Sequence, residues 1–522
     1  MVVPELRPWR AAGPRVTRFA DAVRPRLARA VTAGRPRVAR LGRAASAQVV
    51  SVKTWQYTAG AATVGLALAV GAVTTAGPWD SSGQRTAERD RAAAQGHTGG
   101  ADHGRDPAAA PHAAPSAASV LSGLGGSAGG LKLPPGPKAL AGVLDPLLDT
   151  SALGERRSAA VVDVTTGKRL YDAGSGTALT PASTTKIATA AAALSALGPD
   201  HRLTTRTALE ADTGELVLVG GGDPTLTAHE DAEGWASLRA LAADTAAALK
   251  KDGVREVTLS YDTTLYAGDA VHPIGVNDNL AQVSALMADE ARTDDSTGGP
   301  APRAADPAAE ASRTFAGLLE DHGIKTTSPG PSKATGRART LAEVTSPPLA
   351  ALVERMLTNS DNDIAEALAR QTAVATGERA DFDGAGRAIR AELKRLEVPV
   401  KGADFKDGSG LDRDDRLTAD TLTALLAKAG DPAHPELRPI LTGLPVAGFT
   451  GTLSSRYTDG AAGVVRAKTG TLTGVNALAG TVVDQDGHLL AFAFLATDTT
   501  DPQAAQSALD AAATALAACG CG

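Results

Sequence analysis

Pro181-Ala182-Ser183-Thr184-Thr185-Lys186, running on into the Ala-rich segment Ile187 to Leu197 and stopped by Gly198-Pro199, is the stretch on which the reading of this chain turns. The Gly-Pro stop and the uninterrupted small apolar residues predict a buried helix that Ser183 opens. At i and i+3, Ser183 and Lys186 share one face of its first turn, where the amine can reach the hydroxyl. A serine hydroxyl is a poor nucleophile near neutral pH and needs a base within roughly 2.6–3.2 Å. Lysine can be that base only if its pKa falls from about 10.4, which burial and a second nearby cation both bring about. Lys468 is the candidate for the second cation. Taken alone, Ser183 and Lys186 would read as a helix-capping serine and a solvated lysine.

They are not alone. Ser360-Asp361-Asn362 and Lys468-Thr469-Gly470 follow in that order. A Ser-x-x-Lys is expected by accident about once or twice in a chain this long, but each tripeptide only roughly 0.1 times. The set resembles the three motifs of active-site serine acyltransferases that act on D-alanyl peptides and β-lactams. Apolar patterns at Leu349, Leu352, Met356, Leu357 and at Ile364, Leu368, Ala369 place the second motif in a turn between two helices. There Ser360 can relay a proton between Lys186 and a leaving amine. Asn362 can hydrogen-bond the lysine and a substrate amide, and Asp361 is a turn residue. The third motif should end a strand, Val464 to Thr469, with Gly470 leaving room for a peptide to lie antiparallel along that edge. Lys468 and Thr469 would then hold the peptide's terminal carboxylate. The backbone N–H of Thr471, paired with that of Ser183, would form an oxyanion hole.

The flanks predict a sheet. Ser158 to Val164 reads as a buried strand, turned by Thr166-Gly167 into an antiparallel partner starting at Lys168 to Tyr171. Two more strands are expected over Ala477 to Val483 and His488 to Ala496, and an Ala-rich helix over Pro502 to Ala518 closes a sandwich of sheet between helices. The fold class is therefore α/β, in the sense of an α+β sandwich.

From Ser183 to Ser360 is about 177 residues, far more than a compact serine β-lactamase needs between its first two motifs. The intervening 205–339 carries strand-like pieces at Leu216 to Val219 and Val257 to Tyr261, a helical stretch from Ala236 to Leu249, and the turn Gly220 to Leu226. In this the chain resembles the class C penicillin-binding proteins, the D-alanyl-D-alanine carboxypeptidase/endopeptidase family, whose members carry one or two extra domains inserted at this point. Further matching strings are Gly221 to Leu226, Asp407-Gly408-Ser409-Gly410-Leu411 with Arg413, and Leu444 to Gly448 leading to Gly451-Thr452-Leu453 and Arg456.

The resemblance implies a transpeptidase-type, β-lactamase-like catalytic domain built from 138–204 and 340–522, with 205–339 inserted and mainly β/α. It implies a penicillin-sensitive hydrolase of peptidoglycan stem peptides in which Ser183 attacks the carbonyl of the penultimate D-Ala. D-Ala leaves, and water cleaves the acyl-enzyme. Endopeptidase action would use the same site, β-lactams would inhibit it, and neither metal nor organic cofactor is required. A serine β-lactamase is the nearest rival. Of Glu366, Glu378, Glu392, Glu397 and Glu436, none sits in the Glu-x-x-Leu-Asn setting of the class A deacylating loop, so slow deacylation is expected. A catalytically silent wall-binding scaffold is the rival of another class.

Composition bounds the rest. At 522 residues, 43% hydrophobic and 21% charged, the chain is globular and exceeds what one core serves. Its net charge of -6 hides an arm, 1–53, with eleven Arg and one Lys against Glu5 and Asp21. An uncharged stretch follows, within 54–78, bracketed by Trp55, Tyr57 and Trp79. It is long enough to cross roughly 30 Å of hydrocarbon and reads as an uncleaved anchor, a cleaved secretory signal being the alternative. The arm would then be cytoplasmic and face anionic lipid rather than nucleic acid, with everything after Trp79 outside. Residues 79–137, rich in Ala, Gly and Pro, should be a disordered linker, and His97, His103 and His112 within it fit no metal site. Cys519 and Cys521 read as a plain tail, since a disulfide between them would staple nothing.

Overall fold

The computed structural model describes residues 136–232, 234–457 and 460–519. The basic arm, the apolar stretch 54–78, nearly all of the linker and Cys521 lie outside the described residues. Among the described residues no helix is long and apolar enough to cross a membrane.

Helix α1 (Pro137–Leu148) leads into the hairpin β1 (Arg156–Asp163) and β2 (Arg169–Ala173), then α2 (Thr185–Leu197). There follow β3 (Thr204–Leu209), β4 (Glu215–Val219), α3 (Leu238–Lys251), β5 (Glu256–Asp262), α4 (Pro307–Asp321), β6 (Lys325–Pro331) and β7 (Arg339–Thr345). Next come α5 (Leu349–Asn359), α6 (Asn362–Thr376), α7 (Phe382–Arg395) and α8 (Ala419–Gly430). The chain closes with β8 (Arg466–Leu472), β9 (Val475–Val483), β10 (Leu489–Thr497) and α9 (Pro502–Ala517).

Two five-stranded sheets result. The first, ordered β2-β1-β10-β9-β8, is antiparallel throughout and unites the two ends of the described chain. Its central strands β1, β10 and β9 are buried on both faces, and alternation sorts their residues by size. Val161, Leu478, Leu490, Phe492 and Phe494 face the layer made by α1 and α9. Ala160, Ala477, Ala479, Ala491 and Ala493 face α2 and the helices around it. The alanine face lets α2 approach closely, and α2 brings alanines of its own: Ala190 to Ala193 are wholly buried. Small residues on both surfaces fill the contact at native density without voids.

The second sheet, ordered β6-β5-β4-β3-β7, is mixed. Strands β4, β5 and β6 run parallel, and α3 and α4 provide the crossovers that parallel neighbours require. Leu216, Leu218, Leu241, Leu249, Phe315 and Leu319 form its separate core. The chain thus leaves the first sheet's helical layer after α2 and rejoins it at α5.

Two sequence expectations shift. The third motif does not end its strand: β8 continues to Leu472 because it forms a hairpin with β9, Gly470 pairing with Ala477 and Leu472 with Val475. Cys519 is no loose tail residue, being buried in the α1–α9 core and disulfide-bonded.

Strand β8 depends on a glycine in its partner. A Cβ on Gly480 would lie 2.0 Å from the Arg466 carbonyl oxygen and 2.5 Å from Ala467 Cα, both backbone atoms. Gly480→Ala is expected to lower stability by about 1–3 kcal/mol through overpacking. Thermal unfolding measures it, and an unchanged midpoint would contradict the packing described.

Candidate active site

Ser183 sits in the tight turn Ala182–Thr184 that precedes α2. Ala182 has φ 47°, a left-handed conformation that non-glycine residues adopt at a cost. Two glycines press in on this turn. A Cβ on Gly410 would stand 2.0 Å from the Ala182 carbonyl oxygen, and one on Gly470 would stand 2.6 Å from that of Pro181. The 407–412 loop and β8 therefore approach the serine as closely as backbones allow. Ser183 remains partly exposed.

Lys186 lies one turn on, wholly buried. Its Nζ donates to Asn362 Oδ1 at 2.6 Å and to the Ser409 carbonyl at 2.7 Å, and stands 3.2 Å from Ser183 Oγ. Burial pushes its pKa down to about 8, against the opposing pull of Asp407, Glu366, Asp361 and Asp363. A neutral amine has two N–H groups and one lone pair. The Ser409 carbonyl can only accept, so it claims one N–H. Asn362 claims the other, because its Nδ2 donates to the Asn279 carbonyl at 2.9 Å and so turns Oδ1 toward the lysine. The remaining lone pair is left facing Ser183 Oγ, the geometry a general base requires.

Ser360 caps the C-terminus of α5 in a left-handed conformation, φ 59°. Lys468 Nζ, also wholly buried, donates to Ser360 Oγ at 2.9 Å and to the Thr469 carbonyl at 2.8 Å. Burial, then the charge of Lys186, drive its pKa well below the ordinary lysine value. The expectation that Lys468 is the cation lowering Lys186 is thereby reversed in emphasis. Lys186 is lowered by burial and has carboxylates around it, whereas Lys468 is lowered by burial and by Lys186.

Asp361 accepts the Ile364 N–H at 3.0 Å and caps α6, the turn role read from the sequence. Behind it, Asp363 is buried and held by the Ala281 N–H at 2.9 Å and by Arg303 Nη1 at 2.8 Å. Glu290 stands beside Asp361. Burial, then the charge of Asp361, push its pKa upward, against the pull of Arg292, whose Nε lies 2.9 Å from the carboxylate. Backbone and side chains from 279–303 thus brace the second motif from behind.

Strand β8 is the edge of its sheet. The Ala467 N–H points away from β9, to the Pro445 carbonyl at 3.0 Å. Antiparallel alternation turns the backbone of Thr469 and Thr471 to that same outer side, where a peptide strand could pair. Thr469 Oγ1 donates to Thr452 Oγ1 at 3.0 Å, and the Thr471 side chain is exposed.

The structure thus brings Ser183, Lys186, Ser360, Asn362, Lys468, Thr469, Gly470 and Thr471 to one place. Ser409 and Asn279 were not singled out as site residues. Each contributes a backbone carbonyl, which no side-chain motif reports, although Ser409 lies in a string the sequence did offer. Glu366, weighed only as a deacylating base, is 1% exposed and accepts the N–H groups of Gly408 and Ser409.

Similarity to known proteins agrees. The family model for the D-Ala-D-Ala carboxypeptidase 3 (S13) family matches residues 140–298 and 294–516. The chain is 38% identical to carboxypeptidase DacB of Mycolicibacterium smegmatis, over 69% of this chain and 80% of that one. It is 31% identical to the D-alanyl-D-alanine carboxypeptidase of Actinomadura sp. (strain R39), covering 66% of this chain and 79% of the relative. Penicillin binding protein 4 of Haemophilus influenzae shares the fold, with a TM-score of 0.59, 21% identity, and coverage of 70% of this chain and 97% of that structure.

The brace behind the second motif is testable. Arg303→Ala leaves Asp363 a buried carboxylate without its cation, with an expected cost of about 3–5 kcal/mol. Adding Asp363→Asn should recover part of that loss in urea unfolding. A single variant as stable as the parent would show that the pair carries no weight.

Proposed function

The chain belongs to the D-Ala-D-Ala carboxypeptidase 3 (S13) family, and from that membership we propose how its residues divide the chemistry. It is a serine-type D-Ala-D-Ala carboxypeptidase, a hydrolase of peptidoglycan peptides. Ser183 is the nucleophile and Lys186 its base. The observation that carries this is the lone pair of Lys186, aimed at Ser183 Oγ by two acceptors that take up its N–H groups.

Ser183 Oγ attacks the carbonyl of the penultimate D-Ala while Lys186 takes its proton. Charge collecting on the carbonyl oxygen is met by the backbone N–H groups of Ser183 and Thr471. The proton then passes to the departing amine through Ser360, which Lys468 holds by its hydroxyl. Lys468 and Thr469 receive the terminal carboxylate, with Gly470 leaving the peptide room against the edge of β8. An arriving carboxylate gives Lys468 the counter-charge it lacks, favouring its protonated form. Repulsion from that charge would in turn favour the neutral form of Lys186, so substrate binding assists the base.

Hydrolysis of the acyl-enzyme needs water. Glu366 is committed to backbone N–H groups, which favours slow deacylation of β-lactams and an inhibitory rather than a β-lactamase outcome. Endopeptidase action on cross-links would use the same serine. Residues 205–339 would form the inserted domain. The uncharged stretch within 54–78 supports a single membrane anchor, the basic arm lying in the cytoplasm against anionic lipid and the catalytic part outside the cell. Removal of that stretch as a secretory signal is the alternative.

Intact-mass analysis of the full chain incubated with benzylpenicillin tests the assignment. One long-lived covalent adduct is expected, absent in Ser183→Ala. An unmodified parent chain, or an adduct that survives in Ser183→Ala, would contradict it.

A further inference from the structure

One of the two acceptors that orient Lys186, the Ser409 carbonyl, belongs to a loop held by buried carboxylates. Asp407 Oδ1 accepts the Gly410 N–H at 2.6 Å, and Oδ2 accepts the Asp412 N–H at 2.7 Å and the Ser409 hydroxyl at 3.2 Å. Glu366 accepts the N–H groups of Gly408 at 3.0 Å and Ser409 at 2.9 Å. Thr189 Oγ1 of α2 donates to the Gly408 carbonyl at 2.6 Å. Asp407 and Ser409 are wholly buried, so hydrogen bonds within the protein must compensate the desolvated charge.

One partner of Asp407 comes from elsewhere. His272, in the connection between β5 and α4, places Nε2 2.9 Å from Asp407 Oδ2 and is 3% exposed. Its Nδ1 accepts the Ile274 N–H at 3.2 Å, so the neutral ring carries its hydrogen on Nε2 and donates it to the carboxylate. Phe382 of α7 packs edge-on against the imidazole at 5.2 Å between centroids. Arg370 of α6 lies 4.3 Å over the Phe382 ring and donates to the carbonyls of Ala267 and Asp269, fixing the same connection. His272, Glu366 and Asp407 stand close enough to suggest a cation site. Yet the oxygens of Asp407 and Glu366 already accept backbone hydrogens, so the cluster is built around donated hydrogen bonds.

We propose that His272 is a positioning residue for the reaction: by donating to Asp407 it fixes the 407–412 loop, and through the Ser409 carbonyl it aims Lys186 at Ser183. Without that donor, Asp407 keeps a buried charge beside Glu366 with one fewer compensating bond. The loop can then relax, and a carbonyl displaced by a fraction of an ångström no longer pins the lysine. A pH effect accompanies the geometric one. The ionisable groups around His272 are Asp407, Asp412 and Glu366, with Arg370 on the far side of Phe382 and Lys186 beyond Ser409. Burial pulls the imidazole pKa down, but Asp407, Glu366 and Asp412 outweigh it, and the net shift is upward. As pH falls and the ring protonates, the bond from Ile274 is lost.

This inference rests on Lys186 acting as the base, a reading that acylation of the parent chain and its loss in Ser183→Ala test separately. The experiment compares full-length His272→Ala and His272→Gln with the parent by second-order acylation rate with benzylpenicillin, across acid to alkaline pH, alongside thermal unfolding. Gln can present an N–H near the position of Nε2 and does not titrate. His272→Ala is expected to slow acylation by about 10- to 100-fold, the usual effect of a small misplacement at a reacting centre. His272→Gln is expected to restore most of the rate and, on the acid side, to fall only as protonation of Lys186 dictates, without the parent's further loss as the imidazole protonates. A His272→Ala protein that acylates at the parent's rate with the parent's pH profile overturns the proposal. If His272→Ala does not fold, His272→Gln decides alone: a rate as low as tenfold below the parent's, at an unchanged melting temperature, overturns it.

Discussion

A single buried amine organises this site. Taking the Lys186 ammonium out of water is costly, and the protein offsets the cost with two fixed acceptors instead of a paired carboxylate. A direct ion pair would have raised the lysine's pKa and removed its use as a base. The carboxylates Asp407, Glu366, Asp361 and Asp363 act from behind other groups, so burial prevails and the pKa settles near 8. That leaves an amine close enough to neutrality to take a proton from a serine, and protonated often enough to give one back.

The architecture can be read as what is needed to hold that amine still. Its acceptors come from two distant parts of the chain, Asn362 at the start of α6 and Ser409 in the 407–412 loop, and each has support of its own. Asn362 is turned by the Asn279 carbonyl, and its neighbour Asp363 is gripped by Arg303 and Ala281. The 407–412 loop is gripped by Glu366 and His272. Asn279, Ala281, Arg303 and His272 all come from the long connection between β5 and α4. This one connection thus bonds Asn362 directly and reaches the loop of the second acceptor through Asp407. The alanine face of the first sheet does the complementary job of letting α2 seat its serine turn against β8, where only Gly470 and Gly410 fit.

The catalytic centre was legible because its chemistry requires side chains at short, fixed spacing. Ser183 and Lys186 had to share a helical turn, and Ser360 and Asn362 had to share a loop. Alternation and Gly-Pro punctuation gave the strands and helices around them to within a few residues. What could not be read falls into two kinds. Backbone contributions such as the carbonyls of Asn279 and Ser409 leave no residue-type signature. Charge balance depends on distances: the sequence offers Lys468 as the cation that lowers Lys186, whereas burial and the charge of Lys186 depress Lys468, and nearby carboxylates oppose the fall of Lys186 itself. The extent of β8 was missed for a related reason, since its C-terminal half is defined by its hairpin with β9 rather than by its own composition.

The most direct measurement of the central claim is the pH dependence of the second-order rate at which benzylpenicillin acylates Ser183 in the full-length protein. If burial makes Lys186 the base, the rate rises with pH as the amine loses its proton, with a midpoint near 8, and then levels off. A rate that is flat through that region, or that falls as pH rises through it, would contradict the assignment of Lys186 as the base.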